Sequence, residues 1–203
     1  MTRFILIRHG QTGWNKQERF RGWVDIDLDE TGRRQAQAAA RRVSPWGVSA
    51  IYSSPLKRAL ATAQALADIA GLGVNAIDGI TDMHFGVWQG MSITEVKDSY
   101  PDQFDQWCNR PDALEIPDGE TLEDVRIRSV AAIEELATSH EGQTIAVFTH
   151  RVVCKVLLCH VLGLGNSHFW QIEQDTTAIN VFELEQGKPT VHLINDTCHL
   201  RSA

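Results

Sequence analysis

The chain has 203 residues, 43% of them hydrophobic, enough for one sizeable core and too few for two full domains, so we expect a single domain over 1–203. Its net charge of −7 argues against a general surface for nucleic acid or for anionic membranes. Because it has no run of about 18 apolar residues and no leader-type N-terminus, we expect a soluble, cytoplasmic protein.

The first part of the chain predicts strands that alternate with helices. Residues 3–7 are short, continuous and apolar, which is typical of a buried strand. A helix follows over 30–43, where Asp29 is the expected N-cap of a long stretch of good helix formers. The other elements predicted here are a strand at 49–52, a helix at 55–70 that begins with Pro55 and ends at Gly71, and a weaker strand at 73–78.

The second part is irregular at first and then resumes the alternation. Between 79 and 118 the pattern predicts only a short helix near 92–107. Thr121 and Asp124 then form a capping-box pattern at the start of a helix over 121–139. The remaining predicted elements are a buried strand at 143–149, a helix over 152–163, and two strands at 178–184 and 190–195 that form a hairpin around Gly187.

This alternation predicts an α/β fold with a mostly parallel central sheet and helices on both faces. In such sheets ligands bind outside the carboxyl ends of the strands. His9, Arg58 and His150 each follow a predicted strand, so we expect all three at one edge of the sheet.

The residues expected at this edge suit a phosphate group. Arg8 and Arg58 carry planar guanidinium forks that match phosphate oxygens. Asn15, the backbone amides of the turn at Gly10, and a helix N-terminus near Thr12 would add further donors. A cationic pocket in an acidic protein favours a small phosphorylated anion.

Two histidines in such a pocket could also carry out phosphoryl transfer. A neutral imidazole can attack phosphorus if an acceptor such as a backbone carbonyl holds its other nitrogen and nearby positive charge keeps it unprotonated. A second imidazole, if protonated, can stabilise the oxygens of the transferring group. A carboxylic acid must then protonate the leaving alkoxide and later activate water.

Five stretches of the chain, in this order, resemble the signature of the histidine phosphatase superfamily, the phosphoglycerate mutase-like proteins. They are "RHGQTGWN" at 8–15, "SSPLKRALATA" at 53–63, "FGVWQG" at 85–90, "GET" at 119–121 and "VFTH" at 147–150. The resemblance implies that His9 accepts the phosphoryl group and that Arg8 and Arg58 bind phosphate. It also implies that His150 completes the phosphate pocket, that Asn15 contacts phosphate, and that no metal or other cofactor is needed.

This chain differs from the family at the residue expected to donate the proton. Relatives usually have glutamate four residues before the first glycine of the "FGxWxG"-like motif, and this chain has Asp82 there. The carboxyl group of aspartate lies one methylene, roughly 1.5 Å, closer to the backbone. We nevertheless predict Asp82 as the acid, with His84 as a neighbour that assists it or contacts substrate.

The resemblance also bears on the substrate. Family mutases usually carry an insertion after the acid loop, whereas only 28 residues separate Gly90 from Gly119 here. A phosphomonoesterase is therefore favoured, closest in appearance to metal-independent phosphoserine phosphatases and then α-ribazole phosphatases. A phosphoglycerate mutase, or a phospho-ligand sensor without turnover, remains an alternative.

Three further predictions concern the rim of the site and the surface. Arg21 follows the nucleophile loop and either reaches the pocket or lies in a solvated turn. His199 either holds a substrate carboxylate or is an ordered tail residue. The apolar and aromatic content of 160–182 is compatible with a homodimer. A small phosphorylated metabolite is the expected partner.

Overall fold

A computed structural model describes residues 1–202 and contains one six-stranded sheet. Its strands are β1 (Thr2–Arg8), β2 (Val48–Ser53), β3 (Val74–Ala76), β4 (Thr144–Thr149), β5 (Ile179–Glu185) and β6 (Lys188–Asp196), in the order β3-β2-β4-β1-β5-β6. The first four strands in this order run parallel. β5 pairs antiparallel with β1, and β6 pairs antiparallel with β5. The predicted mostly parallel α/β sheet is confirmed.

The helices follow the predicted order, and several of the predicted caps are confirmed. Asp29 accepts a hydrogen bond from the Gly32 amide, and Thr121 forms a capping box with Asp124. Among residues 1–202, no helix is both long and apolar enough to cross a membrane. The helices are α1 (Gly13–Lys16), α2 (Glu30–Val43), α3 (Lys57–Ala70), α4 (Ile93–Ser99), α5 (Pro101–Asn109), α6 (Leu122–Ser139) and α7 (Arg151–Val161).

Two helix predictions need correction. The helix expected at 92–107 is two helices, α4 and α5, because Pro101 has no amide to continue the first and instead begins the second. The helix expected from Pro55 begins at Lys57, with Leu56 in extended backbone as its N-cap.

The sheet has a hydrophobic core on each face, which fixes the register of β1. Phe4 and Leu6 point into the core formed with α6 and α7, whereas Ile5 and Ile7 point into the core formed with α2 and α3. All four side chains are fully buried. A slip of one residue would exchange the two sets, so this packing holds the carboxyl end of β1 in place.

Candidate active site

Three parallel strands end at the same point and bring the predicted basic residues together. His9 follows β1, Arg58 lies in the first turn of α3 after β2, and His150 follows β4. The ring centroids of the two histidines are 5.2 Å apart. Nε of Arg58 donates a hydrogen bond to Nδ1 of His150 over 3.2 Å. The convergence expected at this edge of the sheet is therefore present.

The His9 ring is held in one orientation by its own loop. Nδ1 donates to the backbone carbonyl of Gly10 over 2.6 Å, because a carbonyl can only accept. Nε2 is therefore unprotonated in the neutral ring, and it has no hydrogen-bond partner among the described residues. Burial, followed by the charges of Arg58, Arg8 and Arg21, lowers the pKa of His9 well below 6.5. The result is a neutral imidazole with a free nitrogen lone pair.

The hydrogen bonds of His150 define the tautomer of its neutral ring. Its Nδ1 accepts from Arg58, so its proton lies on Nε2 and is donated to Oγ of Ser54 over 2.7 Å. Burial and then the Arg58 charge lower the pKa of His150 well below 6.5. His150 is therefore neutral and orients the Arg58 guanidinium.

Arg58 is also more constrained than a free phosphate-binding fork. Four of its five N–H groups are already used, by His150 Nδ1, the carbonyls of Gly22 and Val24, and Oδ2 of Asp82. Its side chain is completely buried. Arg58 therefore contributes mainly its charge and its hold on the surrounding loops, with one N–H left for a ligand.

The Asp82 carboxyl group is fixed on both oxygens. Oδ2 forms an ion pair with Nη2 of Arg58 at 3.0 Å, and Oδ1 accepts from the Met83 amide. The Asp82 carbonyl in turn accepts from the indole N–H of Trp23 and from Nη2 of Arg128. This loop holds the short aspartate side chain against the basic cluster.

A cavity of about 240 Å³ opens beside these groups. His9 and His150 are fully buried behind its wall. Arg8 and Arg21 face the cavity, and Nε of each is buried without a partner among the described residues. Burial lowers the pKa of Arg8 to about 9 and that of Arg21 to about 10, so both remain charged at neutral pH. The wall includes Arg8, Asn15, Arg21, Asp82, Phe85, Trp107, Arg151, Phe169 and Trp170.

Of the residues expected in the nucleophile turn, Asn15 reaches the cavity and Gly10 and Thr12 do not line it. The Asn15 carbonyl oxygen accepts from both the amide and the hydroxyl of Thr12, which leaves its NH₂ group to face a ligand. The amide of Gly10 donates to Oγ1 of Thr62 instead of remaining free. A Cβ at Gly10 would lie 2.6 Å from the Gly32 carbonyl oxygen, so this glycine permits close packing.

Two predicted substrate contacts lie outside the cavity wall. His84 packs edge-on against Trp23 and contacts Gln89, and its backbone amide donates to Glu120. Nε2 of His199 lies 3.1 Å from Oγ1 of Thr177, where the C-terminal turn packs near α2. His199 therefore belongs to an ordered C-terminal turn outside the cavity wall, and its contact with a substrate carboxylate stays a prediction.

The sequence analysis missed the residues on the other side of the cavity. Arg151 directly follows His150, and Phe169 and Trp170 come from a turn after α7. The adjacency of Arg151 to His150 was the one available signal. No local sequence pattern predicts that the chain after α7 brings residues 169 and 170 back to the cavity.

The depressed histidine pKa values predict that acid weakens the fold. Below pH 6.5 the unfolded chain takes up protons that buried His9 and His150 exclude, so the free energy of unfolding falls as pH falls. Between pH 6.5 and 5.5 we expect a loss of about 2 kcal/mol, half from each ring. Urea unfolding at both pH values measures it. His9→Asn should halve the loss, and an unchanged loss would show that His9 is not responsible.

Comparison with known proteins adds an independent observation. The family model described as "Histidine phosphatase superfamily (branch 1)" matches residues 4–197. Phosphoserine phosphatase 1 of Hydrogenobacter thermophilus is 36% identical over 200 residues, which cover 98% of this chain and 95% of that protein. Bacillus stearothermophilus YhfR has a TM-score of 0.95 at 29% identity, with 98% of this chain and 100% of that chain covered. A mutant phosphoserine phosphatase from Entamoeba histolytica, solved in complex with phosphoserine, has a TM-score of 0.88 at 29% identity, with the same coverage of both chains. The chain therefore belongs to the histidine phosphatase superfamily.

Proposed function

We propose that this protein is a metal-independent phosphomonoesterase that acts through a phosphohistidine on His9, with phosphoserine as the leading candidate substrate. The observation that carries the proposal is the state of the His9 ring. Its Nδ1–H is bound to the Gly10 carbonyl, its Nε2 is free, and the surrounding arginines favour the neutral form. These are the requirements for in-line attack on phosphorus.

A bound phosphate would supply hydrogen-bond acceptors to two arginines in the cavity wall. Nε of Arg8 and Nε of Arg21 are buried donors without acceptors among residues 1–202, and leaving a buried donor unpaired is unfavourable. Phosphate oxygens would accept from both groups and from the NH₂ group of Asn15. Because His9 is fully buried and does not line the cavity, we infer that substrate binding rearranges the wall so that phosphorus reaches Nε2.

In the first step, Nε2 of His9 forms a bond to phosphorus as the ester P–O bond breaks. The leaving alkoxide takes a proton from Asp82, which must first bind that proton on the oxygen now paired with Arg58. In the second step, water attacks the phosphohistidine and the Asp82 carboxylate accepts a water proton. The P–N bond breaks, so orthophosphate, neutral His9 and protonated Asp82 are restored. Arg58 keeps its positive charge beside the reacting group, and neutral His150 holds the Arg58 guanidinium in place.

The cavity supports a small leaving group. Its volume of about 240 Å³ lies below the range of roughly 300–1,000 Å³ typical for drug-sized ligands. Two of the relatives are named phosphoserine phosphatase, and the leaving group of phosphoserine is small.

A substrate panel tests the proposal. Phosphate release is measured from phosphoserine, 3-phosphoglycerate, α-ribazole phosphate and sugar phosphates, each with and without chelator. We expect phosphoserine to give the highest kcat/KM and chelator to leave it unchanged. Turnover that depends on a bisphosphorylated primer would favour the mutase. Phosphate binding without release from any ester would favour the sensor.

A further inference from the structure

The charges in the cavity wall are not balanced within the protein. Arg58 is paired with Asp82, and Nη1 of Arg19 lies against the Gly90 carbonyl and Glu95. Arg8, Arg21 and Arg151 face the cavity, and none has a carboxylate within 4.0 Å among the described residues. Apart from Asp82, the one carboxylate in the wall is Glu18, which is exposed.

A phosphate monoester alone does not neutralise this set. Its second ionisation lies near pH 6, so the group carries close to two negative charges at neutral pH. Arg8, Arg21 and Arg151 exceed this charge by about one, and the only other unpaired charge in the wall, among the described residues, is Glu18, which is exposed to solvent. A carboxylate on the organic part of the substrate would be a direct partner for the third guanidinium group.

Arg151 is held where it could meet that charge. Its Cζ lies 5.3 Å from the centre of the Trp170 ring. Trp170 is itself fixed, because its indole N–H donates to the Trp107 carbonyl and its ring packs edge-on against Phe169. Stacking on a fixed ring reduces the freedom of a guanidinium while its N–H edge stays available.

Arg151 comes from a different part of the chain than the two arginines proposed to bind phosphate. Arg8 ends β1 and Arg21 lies in the chain between α1 and α2, whereas Arg151 and Trp170 form the wall contributed by α7 and the turn after it. Nη1 of Arg8 is anchored to the Gln174 carbonyl over 2.6 Å, while Arg151 makes no side-chain hydrogen bond to the described residues. Arg151 is therefore free to bind a group beyond the phosphate.

We propose that Arg151, stacked on Trp170, forms a carboxylate subsite for the leaving group, so that the enzyme selects phosphorylated carboxylic acids over monoesters of uncharged or cationic alcohols. This inference rests on the proposed phosphatase function and narrows its substrate class. It assigns to Arg151 the carboxylate contact that the sequence analysis offered to His199.

Two matched pairs of esters test the subsite. Phosphoserine differs from phosphoethanolamine by its carboxylate alone, and 3-phosphoglycerate differs from glycerol 3-phosphate at the corresponding carbon. A charge-assisted hydrogen bond is worth about 1.5–3 kcal/mol, which corresponds to roughly 10–100-fold in kcat/KM. In Arg151→Gln we expect that loss for the carboxylated member of each pair and a change below about 3-fold for its partner. Arg151→Lys should restore part of the preference.

Controls separate this result from failure of the proposed function. Arg41→Gln removes one charge from an exposed position on α2 and should leave both members of each pair unchanged. Binding of phosphoserine and phosphoethanolamine to His9→Ala, with and without Arg151→Gln, is measured by titration calorimetry and needs no turnover. Equal loss for both ligands, or no loss for either, would overturn the subsite even if phosphatase activity is present. A carboxylate-selective loss of binding in His9→Ala, together with no phosphate release from any ester by the wild-type protein, would support the subsite and reject the proposed reaction.

Discussion

Replacing His9 with alanine is expected to lower kcat/KM for every phosphomonoester by about 10⁴-fold or more, because it removes the unprotonated Nε2, which has no hydrogen-bond partner among residues 1–202. Labelled substrate should place acid-labile, alkali-stable phosphate on the wild-type chain and none on the variant. Rapid quenching during turnover followed by peptide mapping identifies the modified residue.

The control for this experiment is His160→Ala, which removes an exposed imidazole from α7. It should retain wild-type turnover and labelling. Thermal unfolding of His9→Ala shows whether lost activity reflects lost structure. A folded His9→Ala protein with activity near wild type would eliminate His9 as the nucleophile, and labelling of another residue would identify its replacement.

Replacing Asp82 with asparagine is expected to slow turnover according to the leaving group. An alkyl phosphate such as phosphoserine needs its alkoxide protonated, so we expect a loss of about 10²–10⁴-fold. The nitrophenolate of p-nitrophenyl phosphate leaves without that proton, and its loss should stay below about 10-fold. Steady-state kcat/KM for the two esters gives the comparison.

Asp82→Glu is the matched variant, since glutamate is the residue that the family usually carries at this position. Glutamate keeps the acid and changes its reach by one methylene, so it should protect phosphoserine turnover far better than asparagine does. Equal losses on the two esters in Asp82→Asn would remove Asp82 from the acid role. They would point instead to its ion pair with Arg58, at 3.0 Å, as the reason for its position.

The fold was largely predictable because its signals are local. The caps at Asp29 and Thr121 and the apolar run at 3–7 depend on neighbouring residues alone, and the structure contains all three. The break between α4 and α5 also has a local signal, Pro101. The apolar and helix-forming residues on both sides of Pro101 nevertheless favoured a single helix over 92–107.

The site was predictable only as far as strand ends determine it. His9, Arg58 and His150 meet because parallel strands share an edge. The hydrogen bonds of Arg58 to the Gly22 and Val24 carbonyls could not be predicted, since they depend on the path of a loop without regular structure. Because of these contacts, most N–H groups of Arg58 bind the protein, and the side chain contributes a buried positive charge.

Arg151 was overlooked for a related reason. The proposed role of Arg151 depends on its stacking against Trp170, 19 positions later in the chain. It also depends on a cavity that the sequence around either residue does not predict. His199 was open to two interpretations from the sequence, and its contact with Thr177 depends on the path of the C-terminal turn, which has no local signal.

The position of β1 in the sheet has a consequence for biosynthesis. This strand lies between β4 and β5, and its first parallel partner begins at Thr144. At ribosomal speeds of about 5–20 residues per second, its apolar side chains wait roughly 7–30 seconds for either neighbour. The nascent chain thus exposes "FILI" to chaperones and to other chains during most of its synthesis. Phosphate-binding competence should arise only near chain completion, when His150 and the Gln174 carbonyl that anchors Arg8 have been translated.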